Sequence, residues 1–165
     1  MSIKISMSIN GRDQGLISKN CTSKESQGDN SLLEYLDEIT VITLKHEMTG
    51  SENPEDDSYP PLVITKYLDL SSPMLMNALV NEEMIDCEIS VYKELPSGSS
   101  EKLYSIALTG GAIIDIHTRH RKPPKNESGT QEKLSILYHT ATYTHYGRTA
   151  GSFSFVNSTY SKGFQ

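Results

Sequence analysis

The sequence has no tryptophan and only two cysteines, and it has no apolar run near the ~20 residues that a membrane helix needs. Two cysteines, Cys21 and Cys87, cannot make the disulfide framework of a small secreted domain, so we expect both to be reduced. The first ten residues lack the continuous apolar core of a secretory signal peptide. These absences predict a protein that is made and folded in the cytoplasm and does not insert into a membrane.

The short motifs that bind nucleotides or activate a nucleophile are also missing. There is no Walker loop, no dinucleotide fingerprint and no Gly-x-Ser-x-Gly elbow. His139 and His145 would lie about 20 Å apart along a strand, which is too far to share a zinc ion. His117 and His120 would face opposite sides of a strand. We therefore predict no enzyme activity, no metal and no cofactor.

The length of 165 residues is enough for one domain, residues 1–165, with a sizeable core. Threonine, isoleucine, valine and tyrosine are frequent, which favours β structure. The net charge of -6 favours solubility and argues against a general nucleic-acid binder. We expect the last residues, 157–165, to form a flexible tail.

Alternating apolar residues predict about seven strands with turn signals between them. The predicted strands cover residues 3–9, 38–46, 62–68, 85–92, 102–109, 112–116 and 132–146, with a final short strand around 153–155. Gly110 and Gly111 predict a bulge or a sharp bend. The pattern is typical of a mainly β fold, and we predict a compact antiparallel β-barrel of two packed sheets.

One short helix, at about residues 72–81, is predicted on the side of this barrel. Ser72 is a suitable N-cap, and Pro73 would occupy the first helical position, where no N–H is needed. Asn81 would be a left-handed C-cap. A helix this short is marginal alone and needs a sheet to pack against.

Two long polar excursions carry charge of opposite sign. The first, residues 47–61, is acidic and rich in proline, and the second, residues 117–125, is basic. The acidic excursion contributes Glu52, Glu55, Asp56, Asp57 and Tyr59, and the basic one contributes Arg119, Arg121 and Lys122. Solvated loops, a nucleic-acid patch and mutual attraction between copies of the chain are the alternative interpretations. The lack of stacking aromatics beside the basic residues argues against nucleic acid.

The stretch TKYLDLSSPMLMNALVNEEMIDCEISVYK resembles the Hcp family, the haemolysin-coregulated tube proteins of bacterial type VI secretion. The residues that match the family signature are Thr65, Lys66, Asp69, Ser71, Ser72 and Pro73. Similar segments occur at residues 14–18, at 101–106 and in the strand that begins at Glu132. The chain departs from many relatives in having no tryptophan, with residues 143–146 reading Tyr-Thr-His-Tyr.

The resemblance implies a barrel subunit that forms homohexameric rings, which stack into a tube. It also implies partnership with the type VI spike, sheath and effector proteins, and export to the extracellular space or a target cell without a cleaved signal peptide. We expect effector cargo in the ring channel in some cases. Ring-to-ring contacts are assigned to the acidic excursion against Arg119, Arg121 or Lys122, and ring contacts to the outward faces of residues 62–67 and 132–146. The alternatives are a monomeric β-barrel that binds a small ligand and a small hydrolase.

Overall fold

The structure is a computed structural model that describes residues 2–27, 35–50, 59–120, 122, 129–147 and 150–157. The described residues form nine strands and two helices. The strands are β1 (Ile3–Gly11), β2 (Gly15–Leu16), β3 (Ile39–Lys45), β4 (Leu62–Tyr67), β5 (Ile85–Glu94), β6 (Ser100–His120), β7 (Thr130–Leu137), β8 (Thr140–His145) and β9 (Gly151–Val156). The helices are α1 (Lys24–Gln27) and α2 (Ser71–Val80).

Six strands close into an antiparallel barrel, which confirms the predicted fold. The order around it is β1, β3, β4, β7, β6 and β5, and β5 returns to β1. The remaining strands lie outside the closed barrel. Strand β2 pairs with the end of β1, and β8 pairs with the first half of β6 and carries β9 at its outer edge.

The barrel interior is filled by the side chains that alternate along the strands. In β4, for example, Leu62, Ile64 and Lys66 are fully buried while the residues between them are partly exposed. Met7 and Ile9 of β1 and Leu134 and Ile136 of β7 are also fully buried. The period of two seen in the sequence therefore separates the core face from the outer face.

Strand β6 is one continuous element of 21 residues, where two strands were predicted. Gly110 has a φ of 60°, and the register of β5 against β6 shifts between Ile85 and Cys87, opposite this point. A Cβ added at Gly111 would lie 2.8 Å from the carbonyl oxygen of Leu137. The glycines thus allow a bulge and a close backbone approach, as predicted, but the strand continues through them.

The predicted strand 132–146 is divided into β7 and β8 at Tyr138 and His139. The His139 N–H donates to the Thr109 carbonyl at 3.0 Å, and the Asn157 N–H donates to the His139 carbonyl at 2.8 Å. Strand β7 pairs with the second half of β6, whereas β8 pairs with its first half. The break between β7 and β8 lies opposite Gly110 and Gly111, which separate the two halves of β6.

Helix α2 begins one residue earlier than predicted, the predicted N-cap Ser72 is wrong, and the predicted C-cap Asn81 is the C-cap but does not take the left-handed conformation. Leu70 is the N-cap and makes no side-chain capping bond, so Pro73 is the third helical residue rather than the first. The start is held instead by Asp69, whose Oδ1 accepts the Ser71 N–H at 2.9 Å. At the other end Asn81 has a φ of -94°, and Glu82 takes the left-handed conformation with a φ of 50°.

Helix α2 packs against β6, with Leu75 and Ala78 buried and Met76 and Val80 exposed. Helix α1 has only four residues and lies in the stretch that was predicted to be a loop. The two cysteines are buried and free. Burial raises the pKa of both Cys21 and Cys87 to about 12, so neither thiol is activated at neutral pH.

Candidate functional site

The signature residues converge on a fully buried lysine. The Lys66 ammonium lies 3.1 Å from Asp69 Oδ1 and 2.8 Å from Glu132 Oε2, and it donates to Ser72 Oγ at 3.2 Å. The side chains of Lys66 and Asp69 are completely buried, and that of Glu132 is 6% exposed. The group therefore joins β4, β7 and the start of α2 through one internal cation.

Ser72 connects the helix to this cluster instead of capping it. Its hydroxyl donates to Glu132 Oε2 at 2.8 Å and accepts the Asp69 N–H at 3.0 Å. The Ser71 hydroxyl also donates to Asp69 Oδ1, whereas Asp69 Oδ2 is buried without a hydrogen-bond partner. The Lys66 ammonium offsets part of the cost of burying the two carboxylates, so the arrangement is a structural junction.

The remaining signature residues lie around this junction. Thr65 is half-buried on the outer side of β4, and Pro73 is exposed on α2. Glu132 was not among the predicted site residues, because its partner lies 66 positions away in the sequence. The burial of Lys66 could have been predicted from the local sequence, because Lys66 lies on the same face of the strand as Leu62 and Ile64.

A second buried carboxylate joins α2 to the β1–β2 turn. Glu83 is 5% exposed, and its Oε1 accepts the N–H groups of Asp13 and Gln14 at 2.9 and 2.8 Å. The Gln14 side-chain amide donates to Glu83 Oε2 at 2.7 Å and to the Met74 carbonyl at 3.0 Å. A Cβ at Gly11 would clash with this carboxylate, so a larger residue there would force the Glu83 side chain to shift.

The acidic excursion leaves the barrel beside an aromatic cluster. His46 hydrogen-bonds through Nε2 to the Tyr138 hydroxyl at 2.7 Å and through Nδ1 to the Tyr143 hydroxyl. Its ring stacks on Tyr143 with centroids 5.6 Å apart and on Phe155 at 6.5 Å. Burial lowers the pKa of His46 and raises the pKa of Tyr138 to about 12, so both rings are neutral at pH 7.

The acidic excursion returns at Tyr59, which is held by Asn157, the residue that follows β9. The Tyr59 N–H donates to Asn157 Oδ1 at 3.3 Å, and Asn157 Nδ2 donates to the Tyr59 carbonyl at 3.4 Å. The Tyr59 ring meets Phe155 edge to face at 5.3 Å. Asn157 is 1% exposed, and the rest of the predicted tail, residues 158–165, lies outside the described residues.

The predicted stacking residues Glu52, Glu55, Asp56 and Asp57 lie outside the described residues, as does Arg121. Arg119 and Lys122 are exposed. Arg119 borders a surface cleft of about 380 Å³ on the outer face of β4, β7 and β6. The residues that line this cleft are Thr65, His117, Arg119, Gln131, Glu132 and Lys133. The basic surface is thus larger than the sequence indicated, because Lys133 of β7 adjoins it across the sheet.

Within the described ranges, no helix has both the length and the apolarity to cross a membrane. In the same part of the chain, no three histidine, cysteine or acidic side chains are grouped so that they could hold a metal ion. The features that the described geometry does offer are buried polar junctions, exposed apolar side chains and charged surfaces.

Comparison with known proteins agrees with this description. The family model described as "Type VI secretion system effector, Hcp" matches residues 7–145. The chain is 30% identical to the "Major exported protein" of Pseudomonas aeruginosa over 149 residues, which cover 84% of this chain and 87% of that protein.

Solved structures give the same result. The structure of "Secreted protein Hcp3 from Pseudomonas aeruginosa" is 28% identical, covers 94% of this chain and 98% of its own, and superimposes with a TM-score of 0.81. A crystal structure of an Hcp protein has a TM-score of 0.82 at 24% identity, covers 92% of this chain and 97% of its own, and supports the fold. Together with the closed barrel and its flanking helix, these matches place the chain in the Hcp family of type VI secretion proteins.

Proposed function

We propose that the protein is a subunit of the type VI secretion inner tube that assembles into hexameric rings, and that the rings stack. Family membership establishes the general role. The chain is a type VI secretion tube protein, and its family is an exported, structural family rather than an enzyme family. Two observations support the proposal: the chain belongs to the Hcp family, and its barrel fold has exposed apolar side chains on the outside.

Two groups of these exposed apolar side chains lie on different elements, and further ones such as Ile3 and Ile114 lie elsewhere. One group lies on and just before α2, and the other lies on the edge strand β9. The first comprises Leu68, Leu70, Met76 and Val80, and the second comprises Phe153 and Val156. Val80 is 72% exposed and Phe153 is 69% exposed. A closed ring of identical copies needs two different surfaces in each contact, and exposed apolar groups of this kind favour association. The outward faces of residues 62–67 and 132–146 remain our proposed ring contacts beside them.

For the stacking of rings we propose charge pairing between copies. The carboxylates of Glu52, Glu55, Asp56 and Asp57, flanked by Tyr59, would meet Arg119, Arg121 and Lys122 of a copy in the adjacent ring. Each exposed pair contributes only ~0.2–1 kcal/mol, so stacking would depend on many pairs and weaken with salt. Six copies in each ring would multiply a small interaction.

The double variant Asp56→Lys/Asp57→Lys tests this pairing. Particles are counted by electron microscopy as single rings or stacks, at low and at high salt. We expect stacks to become several-fold rarer while rings persist. Glu94→Lys/Glu101→Lys is the matched control, because both residues are exposed on the β5–β6 hairpin and the change in charge is the same. Unchanged stacking in the first variant, with no effect of salt, would contradict the pairing.

We also propose that the ring channel can carry effector cargo, and that the spike and sheath are the other partners. The alternative of a monomeric barrel that binds a small ligand is less favoured by the geometry. Buried side chains such as Met7, Ile64 and Ile136 occupy the barrel interior where such a ligand would lie.

A further inference from the structure

We propose that strand β9 of one copy packs against the outer side of helix α2 of the next copy, with Phe153 as the anchor on β9 and Val80 as its counterpart on the helix. The inference rests on the proposed ring and adds which surface of one copy meets which surface of its neighbour. The hairpin surface is β9, Gly151–Val156. The helix surface consists of Leu68, Leu70, Met76 and Val80.

The helix surface belongs to a helix that carries no charge. Helix α2, Ser71–Val80, contains no charged residue, although 22% of the chain is charged. The solvent side of a surface helix normally carries charged or polar side chains. Here Met76 and Val80, which lie one turn apart, are 45% and 72% exposed. An exposed apolar surface without charge is typical of the core of a protein–protein contact, where charged residues are depleted.

The hairpin surface is an edge strand that carries a fixed aromatic ring. In the described part of the chain β9 pairs only with β8, and its six residues include no charge. Phe153 is 69% exposed, yet its ring stacks on Phe155 with centroids 6.3 Å apart, and Phe155 packs against His46 of β3. A ring that is already held in place loses little conformational freedom when a partner buries it, which suits an anchor residue. An apolar edge strand of this kind favours association.

The two surfaces lie at opposite ends of the barrel. The helix surface begins at the Tyr67 end of β4, because Leu68 follows that strand directly. The hairpin surface lies near the Leu62 end, where the Tyr59 ring meets Phe155 at 5.3 Å. The six residues of β4 place these two ends about 20 Å apart. The surfaces therefore do not cover each other within one copy, but they can meet between copies.

A second copy of the chain is the partner that these observations favour. Both surfaces are apolar and uncharged, so each can bury the other without leaving a charge unpaired. A contact between opposite ends is head-to-tail, uses each surface once in every copy, and closes into a ring when the rotation allows it. A two-fold contact of helix on helix would instead leave the hairpin surface exposed in both copies.

Cysteine cross-linking tests the contact in the assembled particle. The variant Val80→Cys/Phe153→Cys places one thiol on each surface, and a short bis-maleimide joins thiols that lie close together. The native Cys21 and Cys87 do not compete, because they are buried and burial raises the pKa of each to about 12. The matched control is Val80→Cys/Thr118→Cys. Thr118 is exposed and lies at the same end of the barrel as the helix surface.

We expect the first double variant to give cross-linked bands of two to six chains on a denaturing gel, whereas the control and each single variant give single chains. Rings that form without these bands would overturn the contact and leave the proposed ring in place. A dimer band from Val80→Cys alone would show helix meeting helix and would also overturn it. Particles that stay at 18.3 kDa would overturn the proposed ring and the contact together.

Phe153→Asp measures the contribution of the anchor, with Ile3→Asp as the matched control. Ile3 is also an exposed apolar strand residue, at 50%, but it belongs to neither surface. At one fixed protein concentration we expect Phe153→Asp to lower the fraction of chains in rings about tenfold, because the contact would bury an unpaired charge. Ile3→Asp should leave that fraction unchanged, and thermal midpoints measured below the assembly concentration should agree for the two variants. Equal ring fractions in both variants would overturn the role of Phe153.

Discussion

At the scale of single residues, the main feature is a lysine placed where its strand pattern calls for an apolar side chain. Lys66 follows Leu62 and Ile64 on the inward face of β4, and its ammonium meets Asp69 and Glu132 at 3.1 and 2.8 Å. An isolated buried charge would cost several kcal/mol, so the cluster is stable only as a set. This explains why residues of the family signature are found in the core rather than on a binding surface.

Lys66→Met should lower the free energy of unfolding by about 3–5 kcal/mol, because it leaves two buried carboxylates without a cation. Lys45→Met is the control, since Lys45 pairs with Glu47 at 3.1 Å with both side chains more than 60% exposed. Loss of such an exposed pair should cost ~0–1 kcal/mol. Urea unfolding at one fixed protein concentration compares them, and equal losses in the two variants would show that charge pairing does not stabilise the junction.

A single residue, His46, should also make the stability of the fold depend on pH. Burial holds its folded-state pKa below the ordinary value of 6.5, so the unfolded chain binds a proton more readily. The stabilisation from neutral His46 is complete above pH ~6.5 and is lost as the pH falls toward the folded-state pKa. His46→Gln should therefore be less stable than the parent at pH 7.5, and the difference should shrink at pH 5. A difference that is constant with pH, measured by urea unfolding, would refute this.

At the scale of elements, the strands and the C-terminal end of α2 were predictable, and the start of α2 was not. The alternating patterns of β1, β3, β4 and β5 correspond to strands at nearly the predicted bounds, because a period of two is a local property. The start of α2 was misplaced because the hydroxyl of Ser72, a good capping group, is used by Glu132 from a distant strand. The division between β7 and β8 likewise depends on pairing with β6, which no local pattern shows.

Helix α2 provides a prediction at this scale, because two adjacent residues differ in burial. Leu75 is fully buried and Met76 is 45% exposed. Leu75→Ala should cost about 2–5 kcal/mol through the cavity it leaves, whereas Met76→Ala should stay within ~0.5 kcal/mol in the unassembled chain. Thermal and urea unfolding measure both, and similar losses would mean that the helix is not packed through its Leu75 face.

At the scale of the whole molecule, the sequence led to the barrel and to the family, while contacts between distant segments required the structure. The β8–β9 hairpin shows the difference. Phe153 and Phe155 were recognised as a strand, but His46 and Tyr59, which contact Phe155, lie about a hundred residues earlier and are brought to it only by folding. The charged excursions were recognised from composition alone, and the role that we propose for them between copies can be tested only in an assembly.

The mass of the particle in solution tests the central claim most directly. Light scattering coupled to size-exclusion chromatography, with electron microscopy of the same peak, reports the number of copies and the shape. The proposal predicts ring-shaped particles of about 110 kDa, six times the 18.3 kDa chain, together with multiples of that mass where rings stack. A single species of 18.3 kDa that persists at high protein concentration would contradict it.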